Sequence, residues 1–391
     1  IAGQPTGPAA DVAEVFSTHL YTGNSGTNVI NNGIDLAGEG GLVWFKCRNV
    51  TNNHYFVDTE RGASKLLYGP AVHAETSSAN SVTSFNSNGF TLGTDDTDGI
   101  NKNTRSQVSW TFRKKSGFFD CVTWTGNGVA GRTIAHSLGC DIGMLIIKRT
   151  NASHDWTVYH KGLGNDIKFL ELNTTSAEAI GDGALTSTTF KVNDDGWGYD
   201  TNVSGGTYVA YVFADNSAED AEDQMIKCGS YTGTGSTHEV ALGWEPQFLL
   251  VKSASSSASW RMLDTMRGFI APPTGNDDSK ILFADSSSAE DESGTLNVSS
   301  NGFIVSSDVG HTNVSGQTYT YMAIRAPMMK EPEAATDVFA AASRTGASGD
   351  TPCWVSGFVT DMTIMAEDGL SNNYVATRLT GDRLVATDAD M

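Results

Sequence analysis

Two stretches of this chain place a carboxylate and a guanidinium three residues apart, just ahead of a glycine: DTERG (Asp58 to Gly62) and DTMRG (Asp264 to Gly268). In the first, Glu60 joins Asp58 at the i, i+2 spacing that puts two side chains on one face of a strand. A pair of carboxylates about 5 to 10 Å apart is what glycoside hydrolysis requires, so a glycan depolymerase is one chemistry these residues can serve. In the second stretch Met266 takes the place of the second carboxylate, and only Asp with Arg three residues on recurs (Asp58 with Arg61, Asp264 with Arg267). A third stretch, YHKG, places Tyr159 and Gly162 near the same register, with Lys161 as the nearest cation. A turn-stabilising ion pair accounts for the part that recurs. The expectation is a protein without enzymatic activity.

Other candidate chemistry is thinner. The eight histidines form no HExxH, and no Cys/His pair has zinc spacing. No nucleophile elbow, P-loop or dinucleotide fingerprint is present. His136 and His238 precede apolar strands and are expected to hydrogen-bond a loop to a strand. Four acidic loops offer hard oxygens: DDTDG (Asp95 to Gly99), NDDG (Asn193 to Gly196), GNDD (Gly275 to Asp278) and AEDE (Ala289 to Glu292). They admit calcium, which takes six to eight oxygens, but none has EF-hand spacing, and the expectation is no cofactor. Exposed aromatics can stack on sugars. Trp110, Trp124 and Trp156 fall in strand patterns and belong to a core, whereas Trp197 (DDGWGYD) and Trp244 (LGWEP) fall among loop residues. Trp197 with Tyr199 and Asp194 is the best sugar-binding surface, with Trp244 as a second candidate.

The elements that position these residues repeat with a period of roughly a hundred residues, which fixes the architecture first. YTGN, WTGN, YTGT and RTGA place their glycines at Gly23, Gly126, Gly233 and Gly346. An apolar strand follows: LVWFK ending at Lys46, MLIIK at Lys148, FLLVK at Lys252, and MTIMA at Ala366 without the lysine. After the stretches above (RLTG, Arg378 to Gly381, in the fourth copy) come KLLYG from Lys65, KFLEL from Lys168, KILFA from Lys280 and RLVAT from Arg383. The first three copies close on QVSWTFRKK, TYVAYVFAD and TYTYMAIRA. The reading is all-β, with antiparallel sandwich modules of jelly-roll or lectin-like type at 14–114, 119–215 and 225–326. Residues 1–13 form a leader or linker, and a partial fourth copy spans 336–391. The fourth copy reaches Met391 about half a module in, so the series is expected to continue.

Composition agrees. Forty-two glycines and 18% charged residues, with abundant Ser, Thr and Asn, suit turns and β-branched strands. QVSWTFRKK and TYVAYVFAD alternate with period two, whereas LVWF and MLII are continuously apolar, as in strands covered on both faces. PAADVAEVF (Pro8 to Phe16) and SAEDAEDQM (Ser217 to Met225) alone look helical. The short junction KKSGFFD should let modules one and two touch, and APMMKEPEAAT (Ala326 to Thr336) should be a stiff spacer. Forty-five acidic against 25 basic residues, a net charge of −20, excludes a phosphate backbone as partner. No apolar run approaches the ~20 residues that span a bilayer. Cys121 and Cys228 share one repeat position with Thr18 and Ala341, a small-residue packing slot with reduced thiols rather than a disulfide framework.

As a set, GGLVWFKCRN…DTERGASKLL…SVTSFNSNGFTLG…SQVSWTFRK and AGRTIAHSLGCDIGMLIIKRTNASHDWTVYHKGLG resemble a repeat module of tailed-bacteriophage structural proteins. The resemblance implies a concanavalin-like sandwich in a virion component. That component is a tail fibre or tail appendage for host attachment, or a capsid or tail decoration protein. It implies assembly in the host cytoplasm, with other virion proteins and a host cell-surface glycan as partners; charge and hydropathy, as above, argue against nucleic acid and membrane insertion. A linear string of small modules has little surface between them, so a homotrimer around a fibre axis is expected. No active site is carried over.

Overall fold

The computed structural model describes residues 11–94, 99–165, 167–194, 200–217, 223–271, 279–292, 295–307, 311–327, 339–341, 362–366, 373–377 and 385–386. The chain divides into two units, one of Ile1–Phe269 with Asp278–Pro327, the other of Ile270–Asp277 with Met328–Met391. The all-β reading holds. Among the described residues the only helical turns are 3₁₀ turns at Val12–Glu14 and Lys161–Leu163. The first lies inside PAADVAEVF, and its Val12 is buried in the core, so residues 11–13 belong to the packed body rather than to a leader. Residues 218–222 of the second helix-like stretch lie outside the described residues.

The first unit holds three six-stranded antiparallel sheets with one strand order. The first runs Phe16–Thr22, Ser106–Arg113, Gly41–Cys47, His54–Asp58, Lys65–Tyr68, Thr76–Ser77. The second runs Phe119–Thr125, Thr207–Ala214, Ile142–Arg149, Thr157–His160, Lys168–Glu171, Ala179–Ile180. The third runs Ile226–Thr232, Thr318–Arg325, Pro246–Ser253, Arg261–Asp264, Lys280–Phe283, Asp291–Glu292. A small sheet accompanies each, for example Asn28–Asn31, Gly89–Leu92 and Val82–Asn86 in the first repeat. In the second unit Met362–Met365, Tyr374–Thr377 and Val385–Ala386 form a three-stranded meander.

Alternation sorts each central strand into two buried faces. In Gly41–Cys47, Val43 and Phe45 pack with Ile30, Phe90 and Leu92 of the small sheet. Leu42 and Trp44 point the other way, into a core that all three repeats share. There Phe112 meets Phe213 of the second repeat at 5.3 Å and Phe248 of the third at 6.4 Å between ring centroids. Phe56 stacks on Tyr211 at 5.7 Å and tilts against Trp156 at 4.7 Å. Each such ring pair adds about 0.5–1.5 kcal/mol beyond its area burial. The three repeats therefore close on one another, and the expectation of a linear string with little surface between modules is overturned. The reason is that a six-stranded sheet with apolar residues on both faces is covered by its small sheet on one side only. Its other face needs the neighbouring repeats.

The YTGN landmark has a local cause. A Cβ on Gly23, Gly126 or Gly233 would lie 2.2, 2.1 or 2.2 Å from the carbonyl oxygen of Lys102, Val203 or Val314. The approach is fixed by a buried asparagine in each repeat. The Nδ2 of Asn101 donates to Gly26 O and Gly93 O, that of Asn202 to Val129 O, and that of Asn313 to Ser236 O and Ser306 O. Thr18, Cys121 and Cys228 stand opposite Trp110, Tyr211 and Met322 in register, all buried, so three copies share the packing slot, whereas Ala341 is exposed and does not. Cys47, Cys121 and Cys228 carry free thiols. Gly126→Ala is expected to destabilise the chain by about 2 kcal/mol or more, since the backbone must shift. Urea unfolding checks this, and an unchanged midpoint counts against the glycine's packing role.

Candidate functional site

The charged residues that the sequence singles out gather where the repeats meet. Lys46 closes an apolar strand, so its side chain points into the shared core, where an ammonium needs partners. It finds two carbonyls, one from each side of the joint. Lys46 Nζ donates to Asn52 O (2.7 Å) in its own repeat and Ser287 O (3.0 Å) in the third. Lys148 donates to His154 O in its own repeat and Val72 O (2.8 Å) in the first. Lys252 donates to Ala258 O (2.7 Å) and to Thr175 O (2.9 Å) in the second. First to third, second to first, third to second: the contact is cyclic. Burial lowers all three lysines to about 8.

The same joints carry a ring nitrogen and a glutamate each. Trp156 Nε1 donates to Tyr68 O (3.2 Å) and Ala71 O (3.1 Å), and Trp260 Nε1 to Glu171 O (2.9 Å). His54 takes that place in the first repeat. Its Nδ1 accepts from Trp44 Nε1 (2.9 Å), so the proton sits on Nε2, which donates to Phe283 O (2.9 Å). Burial first, and then the Lys46 charge, holds His54 well below the usual histidine range. The backbone N–H of Glu75, Glu178 and Glu290 donates to Thr150 O, Ala254 O and Arg48 O of the adjoining repeat at 2.7, 2.8 and 2.7 Å. Of these glutamates only Glu290 falls in a stretch named above, the AEDE loop. The signal was present, as each follows the KLLYG-type strand at the same distance from Lys65, Lys168 and Lys280.

The Asp–Arg pairs are ion pairs at turns, as expected, and they also cross the joints. Asp58 Oδ1 accepts from Arg61 N (2.9 Å), and its Oδ2 accepts from Arg61 Nε (2.6 Å) and from Tyr211 OH (2.9 Å) of the second repeat. Asp264 accepts from Arg267 N (2.9 Å), Arg267 Nε (2.5 Å) and Trp110 Nε1 (3.0 Å) of the first repeat. Burial works against the Arg61 charge, but Asp58, Tyr211 and Glu75 more than offset it and hold the guanidinium above its ordinary value. Glu60 turns to Lys114 (2.7 Å), while Asp58 is held by Arg61 and Tyr211.

In the second repeat the slot belongs to His160, opposite Met144 as Asp58 is opposite Leu42 and Asp264 opposite Phe248. The alignment of Tyr159 and Gly162 with that register is therefore one residue off at the first position. The equivalent glycines are Gly62, Gly164 and Gly268, at φ of 105°, 80° and 106°, which makes HKGLG the counterpart of DTERG. Leu163 replaces the arginine. His160 Nδ1 accepts from Gly162 N (3.0 Å), and burial lowers its pKa to about 4. The Tyr211 and Trp110 position is Met322 in the third repeat, opposite Leu250. The aspartates accept from a hydroxyl or an indole donor, whereas His160 lies beside the Tyr321 backbone of the third repeat.

Of the sugar-surface candidates, Trp197 and Tyr199 lie outside the described residues. Asp194 is half-buried. Trp244 is corrected: it is 4% exposed, packed with the Leu249 and Phe303 cluster, and its Nε1 donates to Gln224 Oε1 (3.0 Å). Its loop folds back over the third sandwich, a packing that polar neighbours in sequence do not reveal. Trp110, Trp124 and Trp156 are core residues as expected. His136 Nε2 meets Thr186 O (3.1 Å), and His238 Nδ1 meets Thr234 Oγ1 (3.1 Å) and Ser236 O (3.1 Å), consistent with loop anchoring. Of the acidic loops, residues 95–98, 195–196 and 275–278 lie outside the described residues. In Ala289–Glu292, Glu290 is held by Arg48 and Arg267, and Glu292 by Lys280. Among the described residues no three His, Cys, Asp or Glu side chains gather as a metal would need.

A family model described as a domain of unknown function (DUF7483) matches residues 11–327. The chain belongs to this family. No curated protein matches the sequence. The DUF7483 match starts at the 3₁₀ turn that enters the core and ends after the last strand of the third repeat. One DUF7483 domain thus spans all three interlocked repeats.

Two outcomes test the joints. Asp58→Ala leaves Arg61 buried without its main partner and is expected to cost about 3–5 kcal/mol in urea unfolding. The lysines titrate at about 8 folded against about 10.4 unfolded. Above pH 8 the unfolded chain therefore holds protons that the folded chain has released, and stability gains with pH from this source. Below pH 8 the full cost of burying the charge remains. Between pH 8 and the ordinary thiol value of 9.0, unfolding free energy should rise less steeply in Lys148→Met than in the native chain. Equal slopes would show that Lys148 titrates normally.

Proposed function

We propose that this protein is a structural component of a tailed-bacteriophage virion, a tail appendage that contacts the host surface, with other virion proteins and a host cell-surface glycan as its partners. The sequence resemblance to phage repeat modules supports the location. The observation that carries the role is the cyclic set of lysine contacts. The buried charges that could do chemistry are committed to joining repeats, an arrangement that serves a rigid display body. The closed joints favour a compact knob over a shaft segment, which brings the capsid or tail decoration reading close to the tail-fibre one. Lateral burial between repeats is already met within one chain, so the argument that it must be met by a homotrimer falls away.

The test is position on a particle. Particles purified from cultures producing the chain are expected to contain it by mass spectrometry, with antibody labelling at the tail in negative stain. Labelling on the head would select the decoration role, and absence from particles would overturn the virion reading. Release of oligosaccharide from host capsule, stopped by a folded Asp58→Asn variant, would instead establish a depolymerase.

A further inference from the structure

The three strands of the second unit keep the pairing of the repeats in the first. Met362, Thr363, Ile364 and Met365 stand opposite Thr377, Ala376, Val375 and Tyr374. Leu42, Val43, Trp44 and Phe45 stand in the same way opposite Asp58, Val57, Phe56 and Tyr55. Tyr374 then pairs with Ala386 as Tyr55 pairs with Tyr68. The meander is therefore the third, fourth and fifth strands of a fourth sheet, in register. Alternation and cross-strand pairing put Met362, Ile364 and Val375 on one face. They hold the places of Leu42, Trp44 and Phe56 in the first repeat, and of Met144, Ile146 and Val158 in the second. The second and fourth copies thus present the same three residue types. Met144, Ile146 and Val158 are wholly buried in the core that the repeats share. Met362 is 58% exposed and Ile364 67%.

We propose that this face joins three copies of the chain, the fourth repeats of three chains closing on one another as the three repeats of one chain do. Three times in the first unit, a sheet of this register has this face covered by others like it. The joints of that unit are filled by its own repeats, first to third, second to first and third to second, so they have no room for a fourth sheet. These 391 residues hold one fourth repeat, and threefold closure takes three equal faces. The polar slots have changed in the sense that identical chains require. Ala366 follows Ile364 where Lys46 and Lys148 follow Trp44 and Ile146. Thr377 stands opposite Met362 where Asp58 stands opposite Leu42 and His160 opposite Met144. A lysine or aspartate at these places would be set three times about one axis, whereas alanine and threonine leave no buried charge to match.

The trimer rests on register and exposure and not on the virion reading above, and either can fail alone. Sedimentation equilibrium of the 391-residue chain tests it. At about 50 µM the mass is expected to be that of three chains, falling to that of one on dilution to about 0.1 µM. Each chain carries a net charge of −20, so about 0.5 M NaCl should move dissociation to lower concentration by screening the repulsion. Ile364→Asp should be a monomer at about 50 µM, with the urea midpoint of the first unit unchanged. Ile364→Leu should associate like the native chain. Ile180→Asp, which alters an exposed apolar residue of the first unit, should also associate like it. The native chain's own mass decides the matter even where a variant disturbs the meander. A monomer or dimer at the higher concentration overturns the proposal. So does an Ile364→Asp chain that still forms trimers, or an Ile180→Asp chain that no longer does.

Discussion

An ammonium group buried in an apolar core is costly unless it is hydrogen-bonded. Here Lys46, Lys148 and Lys252 are completely buried, and each draws its carbonyls from two repeats at once. Neither repeat alone can satisfy the group. The cost of leaving it unsatisfied falls on any arrangement in which the neighbouring loop is absent or out of register. Apolar contacts such as Phe112 with Phe213 and Phe248 supply attraction between repeats but tolerate sliding. The lysine–carbonyl contacts supply position, as buried polar groups do when they specify one assembly. The ring nitrogens of His54, Trp156 and Trp260 and the glutamate N–H groups repeat that logic beside each lysine.

A common backbone solution leaves side chains free to differ where a local partner set allows it. The slot of Asp58 and Asp264 shows the limit of that freedom. Replacing aspartate by His160 is paired with Leu163 in place of the arginine and Met322 in place of the donor. All three partners of the ion pair have changed together. Changing one alone would leave a buried arginine or carboxylate without its counter-charge, which costs several times a surface contact.

Much of the fold was legible from residues alone. Period-two alternation in QVSWTFRKK, the turn glycines and the repeated landmarks point to strands and sheets, because these depend on local geometry. Cys121 and Cys228 were placed correctly since one position in each repeat holds a small residue. The joints were not legible. A lysine at the end of LVWFK reads as a side chain snorkelling to water, and nothing local says that its target is the carbonyl of Ser287. Trp244 was misplaced because burial by a returning loop leaves no mark on nearby sequence. His160 was missed because matching YHKG to DTERG by its first glycine ignores which glycine needs positive φ.

The linear reading failed for a physical reason that the sequence did contain. LVWF and MLII are apolar on both faces, and each repeat supplies only a short second sheet, Gly89–Leu92 and its partners in the first. One face is then accounted for and the other is not. A face of Trp44, Phe56, Trp110 and Phe112 is too large to leave in water, and a short junction such as KKSGFFD brings a second copy within reach of it. Three equal sheets with a common buried face satisfy one another around an axis, whether they come from three chains or from one. Covalent linkage removes the concentration dependence that a trimer of separate modules would carry. It also allows each joint its own side chains, which identical subunits cannot have.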